Sequence, residues 1–201
     1  MGDIPAGSRL IETVYAEQLH ISRTPLREAF RKLELDGLVE YVERKGVIVR
    51  AFTMEDIEET FTIRNALMML IIPSIFKNVK KEHLDALQAI LDKMDISQQE
   101  ENADELAVYN RDFHRTIEHI SDKKRILRVI DSQEEYIIRF SHIAIASIVR
   151  RSNAHKEHHQ LLEMLSKGDE EGFATLMESH LKESMLTCLS AVSLRRKQPE
   201  D

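Results

Sequence analysis

The stretch from His20 to Leu38, His-Ile-Ser-Arg-Thr-Pro-Leu-Arg-Glu-Ala-Phe-Arg-Lys-Leu-Glu-Leu-Asp-Gly-Leu, constrains this chain more than any other. Thr24 can cap a helix whose first residue is Pro25, where a missing N–H costs nothing. Leu26, Ala29, Phe30 and Leu33 supply an apolar stripe at helical spacing, and Asp36-Gly37 stops the helix. Arg23, Arg27 and Arg31 are four apart and share the other face. Ahead of it, Ile11 to Leu19 reads as a helix with Leu10, Tyr15, Ala16 and Leu19 facing inward. His20 stands in the turn between the two, and histidine tolerates positive φ better than most residues. The pair reads as a helix-turn-helix. A short helix with its cations at the start fits a DNA major groove, where they hold phosphates and base edges.

Leu38 to Arg50 predicts a β-hairpin. Val39, Tyr41, Val47 and Val49 sit at alternate positions, and Arg44-Lys45-Gly46 makes the turn. After a helix-turn-helix, such a hairpin reads as the wing of a winged helix. Gly46 lets the backbone approach a phosphate or the minor groove, and Lys45 brings charge there. Arg50-Ala51-Phe52 is a linker. Charge divides at the same place. Residues 1–51 hold eight Lys/Arg and eight Asp/Glu, while the remainder carries all of the net charge of −7. A chain this acidic is no general nucleic-acid binder, and its neutral segment with clustered arginines is the better DNA module.

Thr53-x-x-Asp56 is a capping box opening a second, wholly helical domain. Helices are predicted over Met54–Val79 (bent before Pro73), Lys81–Met94, Ala103–Ile120, Lys124–Arg150, from about Ser152 or Asn153 to Gly168, and from Asp169 to about Leu194. Ile96 to Asn102 is read as a polar break. The predicted fold is therefore mostly α: a winged helix-turn-helix with a small β-hairpin wing over residues 1–51, then an antiparallel bundle of about six helices over 53–195. The single Cys188 excludes an internal disulfide and fits a reducing compartment. The most apolar run, Ala66 to Phe76, is too short to span a bilayer and contains Pro73. A cytoplasmic location and no membrane partner follow as expectations.

The bundle contains a possible ligand set. Asn110 and His114 are four apart and share one helical face. His158 lies ten residues before Gly168 and His180 twelve after it, each roughly 15–18 Å from the turn at about 1.5 Å per residue. In an antiparallel hairpin they stand at nearly the same height. If the third helix packs alongside, one oxygen and three imidazoles converge, a set that suits Zn²⁺ or Ni²⁺ with positions left for water or a carboxylate. His155 and His159 lie close enough to His158 for either to take its place. They are otherwise assigned, with His83, His119 and His142, to ordinary polar contacts.

Ser22-Arg23-Thr24-Pro25-Leu26-Arg27-Glu28-Ala29 resembles the S-R-T-P-x-R-E-A motif of the GntR family of bacterial transcription regulators. Asn110-x-x-Phe113-His114, His158-x2-Leu161-Leu162 with Asp169, and Ala174-x2-Met177-x2-His180-Leu181 resemble motifs of the FCD effector domain found in its FadR branch. The resemblance covers nearly all of residues 8–190. It implies a homodimer gripping double-stranded operator DNA, usually as a repressor, through Arg23, Thr24, Arg27, Arg31, Lys45 and Gly46. It implies a divalent metal on Asn110, His114, His158 and His180 that helps to bind a small organic acid. Arg64 reads either as a contact to the acid's carboxylate or as a structural salt bridge, and Arg139 either as a further effector contact or as a solvated charge. Asn110 stands where the family often has Asp, and Met68 stands where its R-x-x-ψ-E pattern has an acid. Members also carry another helix upstream of where this chain starts. The resemblance thus implies a DNA module lacking that helix's packing, and a version extended upstream is expected to bind operator more tightly.

Two rival functions are weighed. Three histidines with open metal positions can activate water in an enzyme, but no general base is placed: Asp112 points off the ligand face and Glu157 precedes His158 by one. A metal-free bundle would only dimerise or would bind a larger ligand. Metal itself could also be the signal. The reading adopted is a regulator and not an enzyme.

Overall fold

The computed structural model describes residues 4–197, apart from the side chains of Glu135, Arg139 and residues 195–197. It divides into two units, Met1–Phe52 and Thr53–Asp201.

The first unit runs β1 (Arg9–Leu10), α1 (Glu12–Gln18), α2 (Arg23–Leu35), β2 (Val39–Val42) and β3 (Gly46–Val49). The hairpin pairs Val39 with Val49 and Tyr41 with Val47. The structure adds a strand that alternation did not reveal: β1 pairs antiparallel to β3, giving the order β1-β3-β2. Two residues are too few for a periodic signal. Leu10, Ala16, Leu26, Phe30, Val39 and Val49 form the core, with Tyr15, Leu33 and Val47 packed against them. Leu19 and Ala29, expected inward, are exposed, because Leu26 and Phe30 already fill the space that α2 presents to α1. Tyr41 is likewise exposed, at the outer end of the hairpin.

His20 does adopt positive φ, at 53°, and Gly37 follows α2 at φ 71°. The expected cap is displaced, however. Helix α2 begins at Arg23 with Ser22 in extended backbone at the N-cap, and no side chain caps it. Thr24 and Pro25 lie within the first turn, where an N–H has no intrahelical partner in any case, so proline is tolerated there as well.

The second unit is helical throughout its described residues. Its elements are α3 (Met54–Asn78), α4 (Lys81–Gln99), α5 (Ala103–Ile120), α6 (Lys124–Ser132), α7 (Glu134–Ala146), α8 (Ile148–Lys167) and α9 (Glu170–Lys197). The capping box at Thr53 and Asp56 is present with both hydrogen bonds. Helix α3 continues through Pro73 and packs along α9, α4 packs along α5, and α8 and α9 pair about Gly168. Phe113, Phe140 and Phe173 are fully buried at the centre.

Three boundaries differ from expectation. Helix α4 continues past Met94 to Gln99, because Ser97 turns into the interior and its hydroxyl donates to Glu105. The predicted break shrinks to Glu100–Asn102, where Glu101 takes positive φ. The long fourth helix is two helices, ended first by the Gln133 N–H donating to Ile130 O. Finally, α8 starts at Ile148, not near Ser152, because the Ser147 hydroxyl accepts from Arg150 N. The bundle thus has seven described helices where about six were expected.

The α8–α9 turn holds the two helices in register. Gly168 has φ 76°, a conformation in which a β-carbon costs about 1–2 kcal/mol, and Asp169 accepts from the Gly172 N–H. Gly168→Ala is expected to lower the stability of this unit by about 1–2 kcal/mol, read as a shift in its thermal or urea midpoint by circular dichroism.

Candidate functional site

Three helices bring His114 of α5, His158 of α8 and His180 of α9 together. The His114 Nε2 stands 3.3 Å from the His158 Nε2 and 3.2 Å from the His180 Nε2. All three side chains are buried. The register expected for the α8–α9 hairpin is the one observed, with those two rings 4.8 Å apart between centroids. His155 and His159 do not compete for this position. They turn to another face of α8 and meet Asp95 of α4.

The electrostatics keep these rings neutral. Burial pushes the His114 and His158 values well below the ordinary imidazole range, and the neighbouring rings add to this. Burial lowers His180 too, although a hydrogen bond with Glu157 opposes it. Its Nδ1 lies 2.7 Å from the Glu157 carboxylate. Glu157 resists the upward push of its own burial, because His180 and Arg150 bond to it, and sits at about 2. An ionised carboxylate at Nδ1 fixes the proton there and leaves the Nε2 lone pair facing the other two rings. That second-sphere arrangement is the one which orients a metal-bound histidine. The fit to a divalent cation rests on this observation. Three neutral imidazoles aim the same nitrogen at one point, where at most a shared proton could otherwise sit.

Beside this cluster lies a small cavity of about 50 Å³ that opens toward solvent. Asn110, His114 and His180 line it, together with Arg64, Arg111, Arg150 and Arg151. Among the described residues, no aspartate or glutamate is on its wall. Arg150 donates to both Glu157 oxygens, at 3.0 and 2.8 Å, and to the His180 carbonyl. Arg64 pairs with Glu118 at 2.9 Å, and burial pushes the Glu118 carboxyl upward against that pairing. The Nε atoms of Arg64, Arg111 and Arg151 and the Nδ1 of His114 are buried and have no hydrogen-bond partner. Three buried guanidinium donors left unpaired around one cavity are costly unless an acceptor joins them.

The sequence reading missed Arg150, Glu157's actual role and Glu118. Glu118 was legible: it lies four residues beyond His114 and so shares the face of Asn110 and His114. It supplies the acidic partner to Arg64 that Met68 cannot. Arg150 was hidden because the run around it read as the end of a helix rather than the start of one. Glu157 stands behind His180, on the side away from the three Nε2 atoms, so it positions that ring and is not a base. The Arg139 side chain lies outside the described residues.

In the first unit, Arg23, Thr24, Arg27, Arg31 and Lys45 are all exposed. Gly46 has φ 82° at the tip of the hairpin, and the Lys45 N–H closes the turn onto Val42 O. Glu12 was not foreseen: its carboxylate accepts from Arg23 at 3.0 Å and from Arg27 at 2.9 Å. Hydrogen bonds from Arg23 and then Arg27 hold its carboxyl below the ordinary range.

Neutral buried histidines make stability depend on pH. Their folded values lie below the 6.5 of the open chain, so the unfolded state binds more protons as pH falls and stability falls with it. The metal-free chain is expected to lose stability progressively below about pH 6.5, by up to about 1.4 kcal/mol per pH unit for each histidine. His114→Asn should flatten that dependence in a series of denaturation curves.

Comparison with known proteins identifies both units. Residues 1–49 match the model described as bacterial regulatory proteins, gntR family, and residues 59–183 match the FCD domain. The uncharacterized HTH-type transcriptional regulator YdhC of Bacillus subtilis is 29% identical over 177 residues, covering 78% of this chain and 79% of that protein. The gluconate operon transcriptional repressor of the same organism is 31% identical over 116 residues, 58% of this chain and 47% of its own length. Among solved structures, Escherichia coli McbR/YncC shares the fold with a TM-score of 0.76 at 24% identity, covering 92% of this chain and 88% of its own. No helix among the described residues is long and apolar enough to cross a membrane. With the FCD domain spanning more than half of its length, the chain belongs to the GntR family of bacterial transcription regulators.

Proposed function

We propose that this regulator is a homodimeric, cytoplasmic repressor whose operator binding is controlled by a small organic acid held beside a divalent metal. The observation that carries the reading is the cavity wall: among the described residues it has four arginines and no carboxylate, with unpaired buried donors next to three converging imidazoles. His114, His158 and His180 would hold the metal, Zn²⁺ or Ni²⁺ by donor type, with Asn110 contributing a neutral carbonyl oxygen. The metal would supply a positive centre for one carboxylate oxygen of the acid. The chain's own part is to orient and to desolvate. Arg64, Arg111 and Arg151 offer donors to the acid, Arg139 is a further candidate contact, and Glu157 fixes the His180 tautomer. The relative named for a gluconate operon is consistent with a sugar acid as ligand.

In the first unit, Arg23, Arg27 and Arg31 with Thr24 would hold phosphates and base edges of one half-site, and Lys45 and Gly46 would approach the backbone at the wing. An acid in the second unit acts on this only through different affinities for the DNA-competent and DNA-incompetent states. The coupling is reciprocal, so operator must change acid affinity by the same factor that the acid changes operator affinity.

The deciding experiment is thermal-shift and calorimetric binding of citrate, gluconate and acetate to chain with and without metal. Binding of one of them is expected to weaken by about tenfold or more on metal removal, and in His158→Ala and His180→Ala. Arg151→Gln should weaken it while leaving metal content unchanged. Affinity unaffected by complete metal removal would rule the metal out of effector binding. For the DNA module, Arg27→Ala should reduce operator affinity and flatten its salt dependence. Glu12→Gln should raise affinity for non-specific DNA by about twofold to fivefold, since it removes the carboxylate that now holds two of the arginines.

A further inference from the structure

The second cluster of the bundle lies on a different face of α8. His155 and His159 are one helical turn apart, about 60–100° around the helix from His158. Both turn Nε2 toward a single oxygen of Asp95 on α4: His155 stands 2.6 Å and His159 3.1 Å from Oδ1. The two rings are 5.0 Å apart between centroids. All three donor atoms lie within 4.8 Å of one another. Both imidazoles meet at one carboxylate oxygen.

We propose that Asp95, His155 and His159 form a second divalent-metal site, which straps α4 to α8. Two imidazoles four residues apart on a rigid helix, with a carboxylate from its neighbour, are a donor set for Zn²⁺, Ni²⁺, Co²⁺ or Cu²⁺. Metal–ligand bonds of about 2.0–2.2 Å place donor atoms of one tetrahedral ion roughly 3.3–3.5 Å apart. The observed separations reach that by side-chain movement of less than about 1 Å. The His155 side chain is mostly buried, while His159 and Asp95 are about 40% exposed. The site therefore opens to solvent, with room for water on the ion. Three ligands at an open site bind more weakly than a buried cluster, so this site fills second. An ion here anchors α8, the helix that also carries Arg150, Glu157 and His158. The inference stands on these residues alone and does not depend on the three-histidine cluster holding metal.

The test is titration of the metal-free full-length chain with Co²⁺ and with Zn²⁺, followed by visible absorption and by calorimetry. Wild type is expected to take up about two ions per chain, the second at least about tenfold more weakly than the first. Asp95→Asn and His159→Ala, both at partly exposed positions, should each lose the weaker uptake and keep the tighter one. His158→Ala should keep the uptake that His159→Ala loses. If wild type takes up a single ion that His159→Ala retains, the proposal is overturned. It is equally overturned if Asp95→Asn and His159→Ala match wild type in both stoichiometry and affinity. A single ion lost in His159→Ala and kept in His158→Ala supports this site and counts against the inner one.

Discussion

The interior of the second unit depends on one polar contact, the bridge from Arg150 to Glu157 with His180 behind it. Removing one member of a buried, hydrogen-bonded charge pair costs about 3–5 kcal/mol, because its partner is left unpaired. The burial is tolerated because each group is satisfied several times: Arg150 also donates to the His180 carbonyl and to Ser184. The contact links α8 to α9 and fixes a tautomer, so stability and ligand geometry share one set of atoms. It exists only because α8 begins at Ile148. If α7 ran on through Arg150, as the apolar run there suggests, that guanidinium would be set on a different axis.

A chain with a net charge of −7 nevertheless encloses a cationic cavity. The two facts are compatible because the surplus carboxylates are dispersed over exposed helix faces, where solvent screens them. The arginines are gathered where screening is weak. Glu118 and Glu157 each neutralise one of them from behind, so Arg64 and Arg150 are held in place by their partners. Arg64 keeps an unpaired Nε beside its paired end, and Arg151 and Arg111 carry unpaired Nε donors too, the last of which also stands near Asp112 and Glu134. The wall thus combines guanidiniums fixed by carboxylates behind them with buried Nε donors that have no partner.

Much of this is legible in the amino-acid sequence. The capping box at Thr53, the glycine stop at Gly37, the turn at His20 and the height match of His158 and His180 are local rules, and local rules can be read from spacing. What escaped were contacts decided by tertiary packing. Strand β1 is two residues long and exists because β3 has an open edge. The Ser22 and Ser147 helix starts were overlooked because Thr24-Pro25 and Ser152-Asn153 offered equally good local signals. Among the histidines, spacing placed His155, His158 and His159 within one turn and could not choose between them. The choice is made by what faces each: Phe113 and His114 on one side, Asp95 on the other.

The first unit poses a different constraint. Its formal charge is zero over residues 1–51, and its two leading arginines are held by Glu12. Non-specific affinity for DNA comes almost wholly from phosphate neutralisation, so such a module is expected to grip random duplex weakly. That is a useful property for a regulator under the proposed control. Coupling between two sites is typically worth about 1–3 kcal/mol, a factor of roughly five to 150 in operator affinity. A ligand with that leverage changes occupancy only if the operator complex is held within the same factor of the free regulator concentration. A strongly basic winged helix would stay bound whatever the second unit reported. A balanced one, with its arginines positioned by a carboxylate rather than multiplied, leaves the decision to the ligand.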